Sequence, residues 1–136
     1  MKKTNPKLWG KLQAQLAPGE LKLDSATLEG HQGDKWFATG RPEAVALPRS
    51  SKAVSTILRF AHRHQIPVTP RGAGYGYVGG CVPLRGGIAL SVARMRRIKE
   101  IHEDDFVAVA QPGVITADLQ AKAEAKGLYY PPDPAS

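Results

Sequence analysis

Between residues 44 and 70 the apolar pattern of the chain changes twice, and that alternation limits the fold more than any other feature. "AVALP" (44–48) is a short apolar run that stops at Pro48. "RSSKAVSTILRFAHRHQ" follows, with Ser50 or Ser51 placed to cap a helix and Val54, Ile57, Leu58 and Ala61 forming one apolar face. Arg59, Arg63 and His64 lie mostly off that face. "IPVTP" (66–70) is extended again. Strand, helix and strand at this spacing predict a βαβ unit, because the crossover is long enough for its two strands to run parallel.

The flanking segments fill out an α+β (mixed α/β) chain. Leu8, Leu12 and Leu16 recur every four residues and predict a short amphipathic helix that ends at "APGE". "LKLDSATLEGHQG" reads as a brief extended piece and then a turn or helix capped at Asp24 or Ser25. Residues 30–43, with three glycines and a proline, read as loop. Further on, Ile88, Leu90 and Val92 alternate with the smaller Ala89 and Ser91 and predict a strand. "IKEIHEDDFVAVAQPG" predicts two strands joined by a turn at 103–105. The second, 106–110, is apolar on both faces and so expected to be buried. "TADLQAKAEAKG" predicts a helix capped by Thr116 and stopped at Gly127. The proline-rich "LYYPPDPAS" is extended, and Tyr129 and Tyr130 are expected in the core. The domain reading is an N-terminal helix and lead-in over 1–20, a first lobe over about 21–70 that is βαβ-like, and a hairpin-rich second lobe beginning at about 84 and running to 136.

Between the lobes stands "RGAGYGYVGG" (71–80), five glycines in ten residues. Gly74, Gly76 and Gly79 form a literal G-x-G-x-x-G. A Rossmann site needs a helix to open directly behind such a loop, and here "GCVPLRGG" and a strand follow, so that reading fails on context. Glycine-dense loops bind phosphate in another way. Successive backbone N–H groups converge into an anion-binding nest, and the missing Cβ atoms let the backbone approach a diphosphate. Arg71 stands ready to add a charge-assisted contact. A plain flexible connector is the alternative.

The formal net charge of +7 suits an anionic partner such as a phosphate-bearing cofactor. Nucleic acid is disfavoured: the basic residues are dispersed, and neither an RNA-binding aromatic signature nor zinc-finger spacing is present. The four histidines have no ligand spacing, so no metal site is expected, and no pairing of side chains suggests a catalytic residue. The single cysteine, Cys81, rules out an internal disulfide and fits a reducing, cytoplasmic setting. No run approaches the roughly 18 apolar residues of a membrane span.

From about Leu21 to Ser136 the order of motifs resembles the FAD-binding domain of the p-cresol methylhydroxylase/vanillyl-alcohol oxidase type. The residues that carry it are "PRSSKAVSTILRFAHRHQIPVTPRGAGYGYVGGCVPLRGGIALSVARMRRIKEI" and "VAVAQPGVITADLQAKAEAKGLYYPPDPAS". The nearer likeness is to the branch of the glycolate oxidase D-subunit and the D-lactate dehydrogenases. This resemblance implies a flavin-dependent oxidoreductase acting on a small 2-hydroxy acid. It implies that Arg71, Gly72, Ala73, Gly74, Tyr75, Gly76 and Tyr77 wrap the FAD pyrophosphate, and that Pro132, Asp133 and Ser136 touch the flavin nucleotide. Covalently flavinylated relatives carry a histidine where Tyr75 stands, so dissociable, non-covalent FAD is expected. Tyr75 also departs from the small hydroxyl residue usual in the nearer branch. The family domain continues past "PPDPAS", so the resemblance further implies a truncated domain. It follows that catalytic residues over the flavin ring lie elsewhere. A companion chain or another copy would then stand in for the missing half; the alternative is a non-catalytic truncated remnant or subunit that assembles with a partner chain.

Overall fold

The computed structural model describes residues 4–132 and divides into two compact units, Met1–Arg94 and Met95–Ser136. In the first, Asn5 caps α1 (Pro6–Gln13) by accepting from the Lys7 N–H, and α1 buries Trp9 and Leu12. A two-residue β1 (Leu21–Lys22) precedes α2 (Ser25–Glu29). The Asp24 side chain caps α2 at the Thr27 N–H. β2 (Ala44–Ala46), α3 (Ser51–Arg63), β3 (Val68–Arg71) and β4 (Ile88–Ser91) follow.

The sheet order is β1-β2-β4-β3, with β1 antiparallel to β2 and β4 parallel to both its neighbours. The expected parallel relation of β2 and β3 is present, but the two do not touch. β4 inserts between them, and all four of its residues are buried. A strand flanked on both sides in a sheet covered on both faces has no solvent side, which is why Ile88, Ala89, Leu90 and Ser91 include only one hydroxyl. The sequence reading set the second lobe from about residue 84, whereas β4 is a strand of the first unit's sheet.

Side chains alternate across this sheet. Ala44, Ala46, Ile88 and Leu90 meet α1 and α3 through Trp9, Leu12, Ile57 and Phe60. Val45 and Ala89 meet Leu28 of α2 on the opposite face. The small alanines of β2 let both helical layers approach closely. On α3 the buried set is Ala53, Ile57, Phe60 and Ala61, with Ser50 as the cap. Leu58, expected inside, is 44% exposed, and Phe60 takes the inward place. The apolar stripe is therefore rotated by part of a turn, and the Phe60 ring joins the core cluster that also holds Ile57 and Ile66. α3 ends with Gln65 at φ 53°, the Gln65 N–H donating to His62 O and the Ile66 N–H to Ala61 O. This pairing satisfies the last carbonyls and returns Ile66 to the core.

The second unit holds β5 (Ile98–His102), β6 (Val107–Ala110) and α4 (Thr116–Glu124). The two strands pair antiparallel, as expected from the turn at 103–105. Two expectations fail here. Every residue of β6 is exposed, Val107 by 48%, as is the preceding Phe106 by 81%, and Tyr129 is 80% exposed rather than in a core. A two-stranded sheet with one helix supplies too few partners to cover both faces of a strand. Thr116 is the first helical residue, not the cap; Ile115 holds that position and makes no side-chain cap bond. Gly127 does close the helix, with the Gly127 N–H on Glu124 O and the Leu128 N–H on Ala123 O.

Two measurements follow. Ile57 is fully buried between α3 and the sheet, so Ile57→Ala should cost about 3 kcal/mol in a urea titration. Thr27, through its hydroxyl and its backbone N–H, holds the Asp24 carboxyl below its usual 3.8. The folded pKa is depressed, so the cap's contribution is present above the ordinary carboxylate value and is lost as pH falls through the lowered one. Asp24→Asn should therefore flatten the acid side of the stability profile followed by circular dichroism.

Candidate functional site

The glycine-rich loop leaves the end of β3 at Arg71, a half-buried residue. The Arg71 guanidinium turns back under the loop, where Nη1 donates to Gly33 O and lies 3.7 Å from Cys81 Sγ. Gly74 crosses above it at φ 83°, and a Cβ at this residue would fall 2.1 Å from Arg71 Nη2. Farther along, Gly79 at φ 71° lies against the face of Trp36, where a Cβ would come within 2.7 Å of Cε3. Glycine at these two places lets the backbone take a left-handed turn and touch a side chain that any Cβ would push away.

The partner of the loop is a segment that sequence reasoning passed over as undifferentiated loop. Gly33 accepts from Arg71, the Lys35 N–H donates to Gly76 O at 3.0 Å, and Trp36 stacks beneath Gly79. Asp34 shapes this segment, since Oδ1 accepts from the Trp36 N–H at 2.7 Å. Trp36 and Phe37 pack at a centroid distance of 4.1 Å. The Lys35 Nζ lies 5.0 Å from the centre of the Tyr75 ring. "GDKWF" does carry a signal: charged and aromatic residues set among glycines, where a plain connector would be small and polar.

Pinned from below, the loop leaves its amides without protein partners. Among the described residues, no backbone N–H from residue 72 to 80 donates to a protein acceptor. Most of these residues are exposed, with Tyr75 at 51% and Tyr77 at 63%. A row of unpaired donors held on a braced turn is the donor chemistry that a phosphate group requires.

The other expected residues lie in the second unit. Pro132 is exposed, and its carbonyl accepts from Gln120 Nε2 at 3.1 Å. Asp133 and Ser136 fall outside the described residues. A cavity of about 200 Å³ in that unit is lined by Ile101, Phe106, Leu119, Leu128 and both tyrosines. Among the described residues, no three His, Cys, Asp or Glu side chains are grouped to hold a metal, and no helix is long and apolar enough to cross a membrane.

Residues 42–136 match the family described as FAD binding domain. The chain belongs to that family. This FAD-binding domain is 45% identical over 95 residues to the glycolate oxidase subunit GlcD of Bacillus subtilis (strain 168), covering 70% of this chain and 20% of that protein. It is 39% identical over 135 residues to a D-2-hydroxyglutarate dehydrogenase of Stutzerimonas stutzeri (strain A1501), covering 98% and 29%. With a D-lactate dehydrogenase of Anaerostipes hadrus it shares 34% over 134 residues, covering 97% and 28%. The chain thus spans less than a third of the length of these relatives. Its fold matches an alkyldihydroxyacetonephosphate synthase with a TM-score of 0.86 at 23% identity, over 97% of this chain and 27% of that one. It matches p-cresol methylhydroxylase with 0.78 at 21% identity, over 90% and 25%. The expected relationship to flavin oxidoreductases of the glycolate oxidase and D-lactate dehydrogenase kind is borne out, as is the α+β fold of the p-cresol methylhydroxylase type.

The brace of the loop can be tested without ligand. Gly74→Ala adds a Cβ at positive φ and displaces the guanidinium, so it should lower stability by about 1–2 kcal/mol in chemical denaturation.

Proposed function

We propose that residues 71–77 of this FAD-binding domain grip the cofactor's pyrophosphate through their backbone amides, and that the domain serves a flavin-dependent oxidation of a small 2-hydroxy acid of the glycolate or D-lactate type. The observation that carries the first part is the run of N–H groups from residue 72 to 80 that have no protein acceptor, on a loop braced by Arg71 and Trp36. The substrate class rests on the relatives named above. Arg71 acts chiefly as the support under Gly74, because its Nη1 is already committed to Gly33 O. Gly72 has open space where a Cβ would stand and leaves the approach to the amides clear, and Gly76 completes the glycine run beside Asp34. Pro132, Asp133 and Ser136 are proposed to touch the flavin nucleotide, on the strength of the family likeness.

FAD supplies acceptance of a hydride from the substrate carbon. The chain's part is to position it and to exclude water from the diphosphate, and no catalytic residue is assigned within the 136. Tyr75 offers no histidine for a covalent flavin link, so the cofactor is taken to be dissociable. A cytoplasmic setting is part of the same reading, supported by the single cysteine.

A second reading, a non-catalytic subunit or remnant that assembles with a companion chain or another copy, is favoured by the exposed apolar residues Phe106, Val107 and Val109. The two separate on titration of the purified chain with FAD, followed by flavin fluorescence. Saturable binding that is released on denaturation without covalent residue, and weakened several-fold by Gly74→Ala, supports the cradle. A colourless chain that takes up no FAD and runs as an assembly in light scattering supports the second reading.

A further inference from the structure

A diphosphate carries charge as well as acceptor oxygens, and a row of neutral amides meets only part of that demand. Two cations stand at the loop. Arg71 is half-buried beneath Gly74, with Nη1 on Gly33 O and the Cys81 sulfur beside it, so its charge faces the underside of the turn. Lys35 differs in each respect. It is exposed, and its ammonium forms no ion pair among the described residues. Its backbone is tied to the loop at Gly76 O. Its Nζ lies over the Tyr75 ring at 5.0 Å, within the range of a cation–π contact.

We infer that Lys35 supplies the mobile charge that meets the diphosphate, and that the Tyr75 ring holds its ammonium beside the loop as a positioning residue. This rests on the pyrophosphate reading above and names a residue from outside the glycine loop. The neighbouring Asp34 carboxylate forms no ion pair with Lys35 among the described residues; its Oδ1 accepts from the Trp36 N–H and its Oδ2 lies 3.9 Å from Cys81 Sγ. The pair also accounts for a bulky side chain inside a glycine-rich turn. A ring drawn toward Lys35 adds an apolar rest for the ammonium, whereas an unheld ring would crowd the amides. The contact is weak enough to let the ammonium swing from ring to phosphate when the anion arrives.

The test titrates the full chain with FAD, with inorganic pyrophosphate and with adenosine, which has no phosphate, by calorimetry at two salt concentrations. Lys35→Met should weaken FAD and pyrophosphate about tenfold and flatten their salt dependence, while adenosine does not move. Lys35→Arg should restore most of the loss. Tyr75→Ser should weaken both phosphate ligands in the same direction as Lys35→Met. Unchanged urea midpoints keep these effects apart from folding, since both side chains are exposed. Lys35→Met binding FAD as tightly as the parent, or Tyr75→Ser tightening it, overturns the inference and leaves the cradle standing. A parent chain that binds neither FAD nor pyrophosphate overturns both.

Discussion

The organisation of the loop depends on one buried-side contact, the guanidinium of Arg71 donating to the carbonyl of Gly33. Without it the 71–80 segment would be a glycine tether with little to offset its chain entropy. With it, the end of β3 and the 33–36 segment become two walls of one small structure. Gly74 lies over the guanidinium and Gly79 over the indole, so the backbone is held at both ends of the stretch between them. The glycines of this loop therefore serve contact rather than mobility. A charged side chain under a turn also imposes a division of labour. The supporting cation is not the one best placed to meet a ligand, and an anion above the loop needs a second source of charge.

The first unit supplies the rigidity this arrangement needs. β4 is buried on both faces between β2 and β3, and β3 runs straight into Arg71. The position of that guanidinium is thus inherited from a parallel sheet packed by α1 and α3 on one face and α2 on the other. Core residues as far from the loop as Ile57 act on the site only through this sheet.

Elements whose identity is local were legible in the sequence. The Ser50 cap, the α3 periodicity, the turn at 103–105 and the stop at Gly127 depend on residues within a few positions of one another. Properties set by distant partners were not. No pattern in "IALS" says that it will lie between two strands that precede it in the chain. Leu58 and Phe60 lie two residues apart on α3, and which of them is buried depends on partners in α1 and the sheet that the local pattern does not contain. The apolar run at 106–110 carries the composition of a buried strand, but burial requires a covering layer that the hairpin does not contain. Of the candidate site, the glycine loop was visible as chemistry. Its counterpart "GDKWF" was not, because it acts through a carbonyl, an amide and a ring face contributed from nearly forty residues away.

Pro70 sits in β3, which lies at the edge of the first sheet. A proline there has no N–H to offer a neighbouring strand, and the opposite edge, β1, is only two residues long. That sheet is closed to lateral growth on both sides. In the β5–β6 hairpin only β5 is guarded, by Lys99, Glu100 and a register shift between Ile98 and Glu100, whereas β6 is an apolar run whose outer edge pairs with no other strand among the described residues. Any strand-mediated self-association would therefore begin in the second unit, and the parallel sheet behind the glycine loop would remain a monomeric surface even in an aggregate.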